Sequence, residues 1–116
     1  MEIALSNLIS YTNYDKVGQK MIFDVKIHGK NYAFKDEFNN INAIGFFVYI
    51  FIQADSRERA EVLAINNLRK DNLYIDNIKP AETSISELIA EEINIASYFD
   101  FIPNKLSEFI LYQTDD

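Results

Sequence analysis

Gly45 to Asp71 reads GFFVYIFIQADSRERAEVLAINNLRKD, and this stretch predicts one strand running directly into one helix. From Phe46 to Ala54 the residues are almost all apolar and rich in aromatic and β-branched types, which is strand composition. Side chains alternate across a strand, so Phe46, Val48, Ile50 and Ile52 share one face while Phe47, Tyr49, Phe51 and Gln53 share the other. Both faces are apolar enough to need cover. Asp55 is a good N-cap, and Glu58 three residues on can reach back to complete a reciprocal capping arrangement. Beyond it Ala60, Leu63, Ala64, Asn67 and Leu68 fall on one helical stripe, with the alanines allowing close approach to a sheet and Val62 on the solvated side. Arg69 and Lys70 suit the negative end of the helix dipole, and Asp71-Asn72 makes a stop.

Upstream, Lys20 to His28 alternates, with Met21, Phe23, Val25 and Ile27 opposing Asp24, Lys26 and His28, a half-buried strand. Gly29-Lys30 then reads as a tight turn into a second strand, Asn31 to Lys35, giving a hairpin. The polar run DEFNNINAI reads as a loop, and NLYIDNIKPAETS after the helix as a connection broken by Pro80. Ala90 to Ser97 alternates and reads as a strand, while Ser84 to Ile89 stays open between helix and strand. Pro103-Asn104 marks a turn before a last short strand, Glu108 to Gln113, with Phe109 and Leu111 inward. The expected architecture is α+β: a mostly antiparallel four- to five-stranded sheet in the order β-β-β-α-β-β, with one long helix on one face. At 116 residues the chain is expected to be a single domain, with 20–113 as core and 1–19 as an N-terminal extension. Three placements of 1–19 stay open: a helix on the sheet's free face, which Ile3, Leu5, Leu8 and Ile9 favour, an added edge strand, or a loose tail.

The net charge of -7 is unevenly spread. Glu82, Glu87, Glu91, Glu92, Asp100, Glu108, Asp115 and Asp116 face Lys105 alone in the last third, whereas residues 1–81 balance. Such a surface repels nucleic acid and steers a basic partner, if it does more than aid solubility. Arg57, Arg59, Arg69 and Lys70 interleave with Glu58 and Glu61 as a solvated, salt-bridged helix face, so no nucleic-acid partner is expected. There is no cysteine, hence no disulfide or thiolate site. The start MEIALSNLISY lacks the charge and apolar run of a signal peptide, and the longest apolar stretch falls far short of the roughly 20 residues of a membrane helix. A cytoplasmic protein with no membrane partner is the expectation.

No reaction is announced. His28 is the sole histidine and, beside Gly29, reads as a solvated turn residue; a carboxylate metal site stays open. Three scattered glycines make no phosphate loop. Glu91 and Glu92 sit on opposite faces of a strand and so do not serve one substrate together. No enzyme activity and no cofactor are expected. The face of Phe47, Tyr49 and Phe51 is the better lead, either a core layer under residues 1–19 or a binding surface. With Glu87, Glu91, Glu92, Asp100 and Glu108 it forms the candidate partner-binding set.

The segments MIFDVKIHGKNYAF, Gly45-Phe46-Phe47, Ile52-Gln53-Ala54, Arg59-Ala60-Glu61 with Ala64, and Leu68 to Asp71 form an ordered series. Glu91-Glu92-Ile93, Phe99-Asp100 before Pro103, and Phe109 to Tyr112 before Asp115-Asp116 continue it. Together they resemble a family of small bacterial proteins with a hairpin, a GFYTTRFVEA-like strand, an EEAExxA helix, VEEIxEI, FDxxP and a final FxxY. The resemblance covers about residues 20–116 and supports the strand at Ala90 to Ser97. Val48-Tyr49-Ile50 replaces the family's polar Thr-Thr-Arg run, so any role of those positions does not carry over. Proteins of this size and style also resemble immunity proteins encoded beside antagonistic bacterial toxins. That resemblance implies neutralisation of a cognate toxin with a basic surface; the alternative is a structural or regulatory homo-oligomer, such as a homodimer through the sheet edge or aromatic face.

Overall fold

The computed structural model describes residues 20–82, 84–96 and 103–114. The fold is α+β: a five-stranded antiparallel sheet with helices packed on it. Two long strands form its spine, β1 (Met21–Lys35) and β2 (Asn40–Ala54). They are followed by α1 (Arg57–Arg69), α2 (Asn72–Asn77), β3 (Ile78–Pro80), β4 (Glu87–Ile95) and β5 (Ile110–Gln113). β1 and β2 pair with each other, β5 lies on the far side of β2, and β3 and β4 lie end to end along the other edge of β1. The 15 residues of β1 are long enough for β3 to pair with Tyr32 to Phe34 and β4 with Phe23 to Lys30.

The expected hairpin at Gly29-Lys30 is corrected: the chain does not reverse there. Register shifts on either side of Tyr32 make an irregularity within one strand, and Asn31 adopts φ 64, a left-handed conformation that asparagine tolerates better than most residues. The displaced Asn31 carbonyl accepts the Ala81 N–H at 3.1 Å and the Ser86 hydroxyl, while the Asn31 amide donates to the Ile85 carbonyl at 2.9 Å. One irregular residue thus anchors the passage from β3 to β4. Gly29 is needed for a different reason: the Phe46 ring of β2 lies over it, and a Cβ at this position would come within 2.1 Å of that ring.

Reversal instead takes place over Asp36 to Asn39, inside the run expected to be a loop. The Asp36 carboxylate accepts the N–H groups of Phe38 and Asn39 at 2.8 and 2.7 Å, and the Phe38 bond leads in holding the carboxyl below its usual range. Two strands, not three, therefore precede the helix.

Ala60, Ala64 and Leu68 bury the expected stripe of α1, and Val62 is exposed. The N-cap is Ser56 in place of Asp55: its hydroxyl accepts the Arg59 N–H at 3.1 Å, and its carbonyl accepts the Ala60 N–H at 2.9 Å. Asp71 ends the helix as expected and also caps α2, accepting the Tyr74 N–H at 3.2 Å. The six residues of α2 and the three of β3 replace the expected connection. Between helix and sheet the core holds Phe23, Val25, Ile27, Phe46, Val48, Ile50 and Ile52, all essentially inaccessible. Leu111 of β5 shares the core side but keeps 39% of its surface exposed, while Phe109 packs on Phe46 with ring centroids 5.5 Å apart. Among the described residues no helix is long and apolar enough to cross a membrane.

Candidate functional site

Because the helix covers one face of the sheet, the alternation of β1 and β2 sends Asp24, Lys26, His28, Phe47, Tyr49 and Phe51 to the other. His28 lies at the centre of that face. It is 8% exposed and mid-strand, which corrects its reading as a solvated turn residue. Its Nδ1 lies 2.8 Å from Glu91 Oε2 and its Nε2 lies 2.5 Å from the Tyr112 hydroxyl. A carboxylate can only accept, so Nδ1–H donates to Glu91; in the neutral ring Nε2 then accepts the Tyr112 O–H. The ring stacks on Phe47 at 4.3 Å, and Phe47 stacks in turn on Tyr112 at 5.5 Å. Lys26 Nζ sits 4.7 Å from the centre of the Phe47 ring and 3.3 Å from Glu91 Oε1.

Tyr112 is on β5, with β2 between it and β1. It can reach His28 because it crosses β2 at its own register partner, Gly45, where no side chain stands in the way. Gly45 is thus a clearance position.

The paired acids are also placed by an irregularity. β4 pairs Glu92 with Lys26 and Ala90 with Ile27, leaving Glu91 as an extra residue. Both carboxylates therefore approach one ammonium, Glu91 at 3.3 Å and Glu92 at 3.7 Å, which corrects the expectation that they point to opposite faces. The His28 hydrogen bond, followed by that from Lys26, holds the Glu91 carboxyl below its usual range. The bond to Glu91 raises the Lys26 ammonium. Asp24 is raised, first by partial burial and then by the charge of Glu92.

Of the candidate binding residues, Phe47, Tyr49, Phe51, Glu91 and Glu92 come together on this face. Tyr49, 37% exposed, stands opposite Lys26 and presents the most open aromatic ring of the three. Glu87 lies at the far end of β4, opposite Lys30. Glu108 borders a groove on the helix side, and Asp100 lies outside the described residues. That groove, about 820 Å³, runs between the end of α1 and the segment from Asn104 to Leu111. Lys26, His28, Tyr112 and Gly45 are not in the binding set expected from sequence; the polar alternation Asp24, Lys26, His28 is the signal that points to their face. Among the described residues no group of three or more His, Asp or Glu side chains is placed to hold a metal ion.

No family model, curated protein or solved structure matches this chain.

Proposed function

We propose that the protein is a cytoplasmic immunity protein that binds and neutralises a cognate bacterial toxin with a basic surface. The observation that carries this reading is the extra residue in β4, which sets Glu91 and Glu92 side by side next to the aromatic face of β2. Two carboxylates, Glu91 and Glu92, flank the single ammonium of Lys26 beside the partly open Tyr49 ring, and Asp24 lies close enough to Glu92 to feel its charge. A basic side chain finds there both an aromatic surface and residual negative charge. The acidic last third extends the same sign along the protein and favours fast, salt-sensitive capture of a basic partner.

The test is co-expression with the toxin encoded beside this chain. Rescue of growth and co-purification of the two proteins are expected, and their joint failure overturns the reading. A homo-oligomer makes the opposite prediction, a mass that rises with protein concentration in light scattering without any second protein.

A further inference from the structure

The two outer edges of the sheet are built differently. β4 carries Glu87, Glu91 and Glu92 and an extra residue, devices that discourage a new strand from pairing. β5 reads Ile-Leu-Tyr-Gln, with no charge, proline or irregularity, and among the described residues its one paired neighbour is β2. Thr114 donates its N–H to the Ala43 carbonyl at 3.1 Å, which fixes the alternation of the pairing. Ile110, Tyr112 and Thr114 direct their backbone groups to β2, while the N–H and C=O groups of Leu111 and Gln113 point away from it. Ile110 is 54% exposed on one side of this edge, and Leu111 opens on the other into the groove floored by Leu73, Leu106 and Phe109.

We propose that the outward edge of β5 accepts an extended, basic segment of a protein partner as an added strand, with one apolar side chain of that segment seated in the groove beside Leu111. The inference deepens the toxin-binding reading and rests on it for the partner being a toxin. The sign of the partner follows from the ends of the edge: Glu108 precedes it, and Asp115 and Asp116 follow it in sequence. The groove itself is balanced, Lys70 and Lys105 against Asp71 and Glu108. A second copy paired antiparallel about the same edge would bring Glu108 of one chain toward the acidic end of the other, so charge disfavours self-pairing and favours a segment with lysines or arginines flanking its apolar positions.

The probe is a synthetic peptide, acetyl-Lys-Val-Lys-Ile-Lys-Val-Lys-amide, titrated into the full chain and followed by backbone amide NMR, beside a counterpart with Glu at each Lys. Binding is expected to shift the Leu111 and Gln113 amides and protect them from hydrogen exchange, with at least tenfold weaker binding of the Glu peptide. Gln113→Pro removes an outward N–H while leaving every β2 bond in place, and is expected to weaken the peptide at least tenfold with an unchanged thermal midpoint. Leu111→Lys, which charges the edge, is the independent variant and is expected to weaken the peptide at least tenfold as well. Perturbation confined to other residues, equal binding of the two peptides, or protection of the same amides on concentration in the absence of peptide overturns the proposal. Toxin rescue that survives in Gln113→Pro while peptide binding fails overturns strand addition and leaves the immunity reading standing; peptide binding without rescue does the reverse.

Discussion

Tyr112 lies over Gly45 so closely that a Cβ on the glycine would come within 2.1 Å of the phenol ring. The same distance separates a Cβ at Gly29 from the ring of Phe46. Both are cross-strand pairs of a glycine with an aromatic ring, one on each face of the sheet. They differ in what the ring can do. Phe46 is fully buried and has nowhere to go, whereas Tyr112 is only half-buried and can swing outward.

Gly29→Ala is therefore expected to cost about 3 kcal/mol or more, as a methyl forced into a packed interior does. Gly45→Ala is expected to cost less, about 1 kcal/mol, roughly the value of one hydrogen bond, because Tyr112 leaves His28. Urea unfolding of the two variants orders them. Equal costs would mean that the Tyr112 ring is as firmly held as Phe46.

Acid sensitivity is expected at Glu91, as at Asp36. Its folded carboxyl is lowered relative to the ordinary value of 4.5, so its stabilising effect is complete above about that pH and is lost as pH falls through the lower folded value. Glu91→Gln is expected to be less stable than the parent at pH 7 and to lose less on acidification to pH 3. Thermal midpoints across that range measure it, and parallel curves for the two proteins would contradict it.

Asp24 has the opposite sign. Its carboxyl is raised above 3.8, so the folded state holds the proton more tightly than the unfolded chain and ionisation works against folding as pH rises. Asp24→Asn is expected to raise the thermal midpoint at pH 7, with a difference that disappears once both carboxyls are protonated. A lower midpoint at pH 7 would mean that Asp24 is held by favourable contacts that outweigh its burial and the charge of Glu92.

The helix start offers a clean comparison. Ser56→Ala is expected to cost about 1 kcal/mol, since it removes the acceptor for the Arg59 N–H, while Asp55→Ala stays within about 0.5 kcal/mol. Chemical denaturation of both decides which residue caps α1.

What could be read from sequence was the part governed by local periodicity. The Ala60, Ala64, Leu68 stripe and the Phe46, Val48, Ile50, Ile52 alternation fall where their spacing puts them, because both are set by the geometry of a single element. Gly29-Lys30 has turn composition without making a turn. That composition is used here for a ring lying over the glycine and a left-handed Asn31, both set by partners elsewhere in the chain. Alternation puts Glu91 and Glu92 on opposite faces for a similar reason: it holds until pairing with β1 inserts an extra residue, and pairing is not a property of β4 alone. The partners of His28, Glu91 and Tyr112, lie 63 and 84 positions away, beyond the reach of local pattern. The six residues of α2 carry too little periodic signal to announce a helix.

The arrangement of β3 and β4 along one side of β1, with β2 on the other, bears on the order in which the fold is gained. β1, β2 and α1 are consecutive in the chain and joined by tight links, so they can collapse together before the acidic last third is placed. In that order β4 and β5 would dock onto a hairpin already formed, bringing Glu91 and Tyr112 to His28. Substitutions on those late strands should accelerate unfolding while leaving the refolding rate nearly unchanged. The surface proposed to meet a partner would then evolve with little penalty to the speed at which the scaffold assembles.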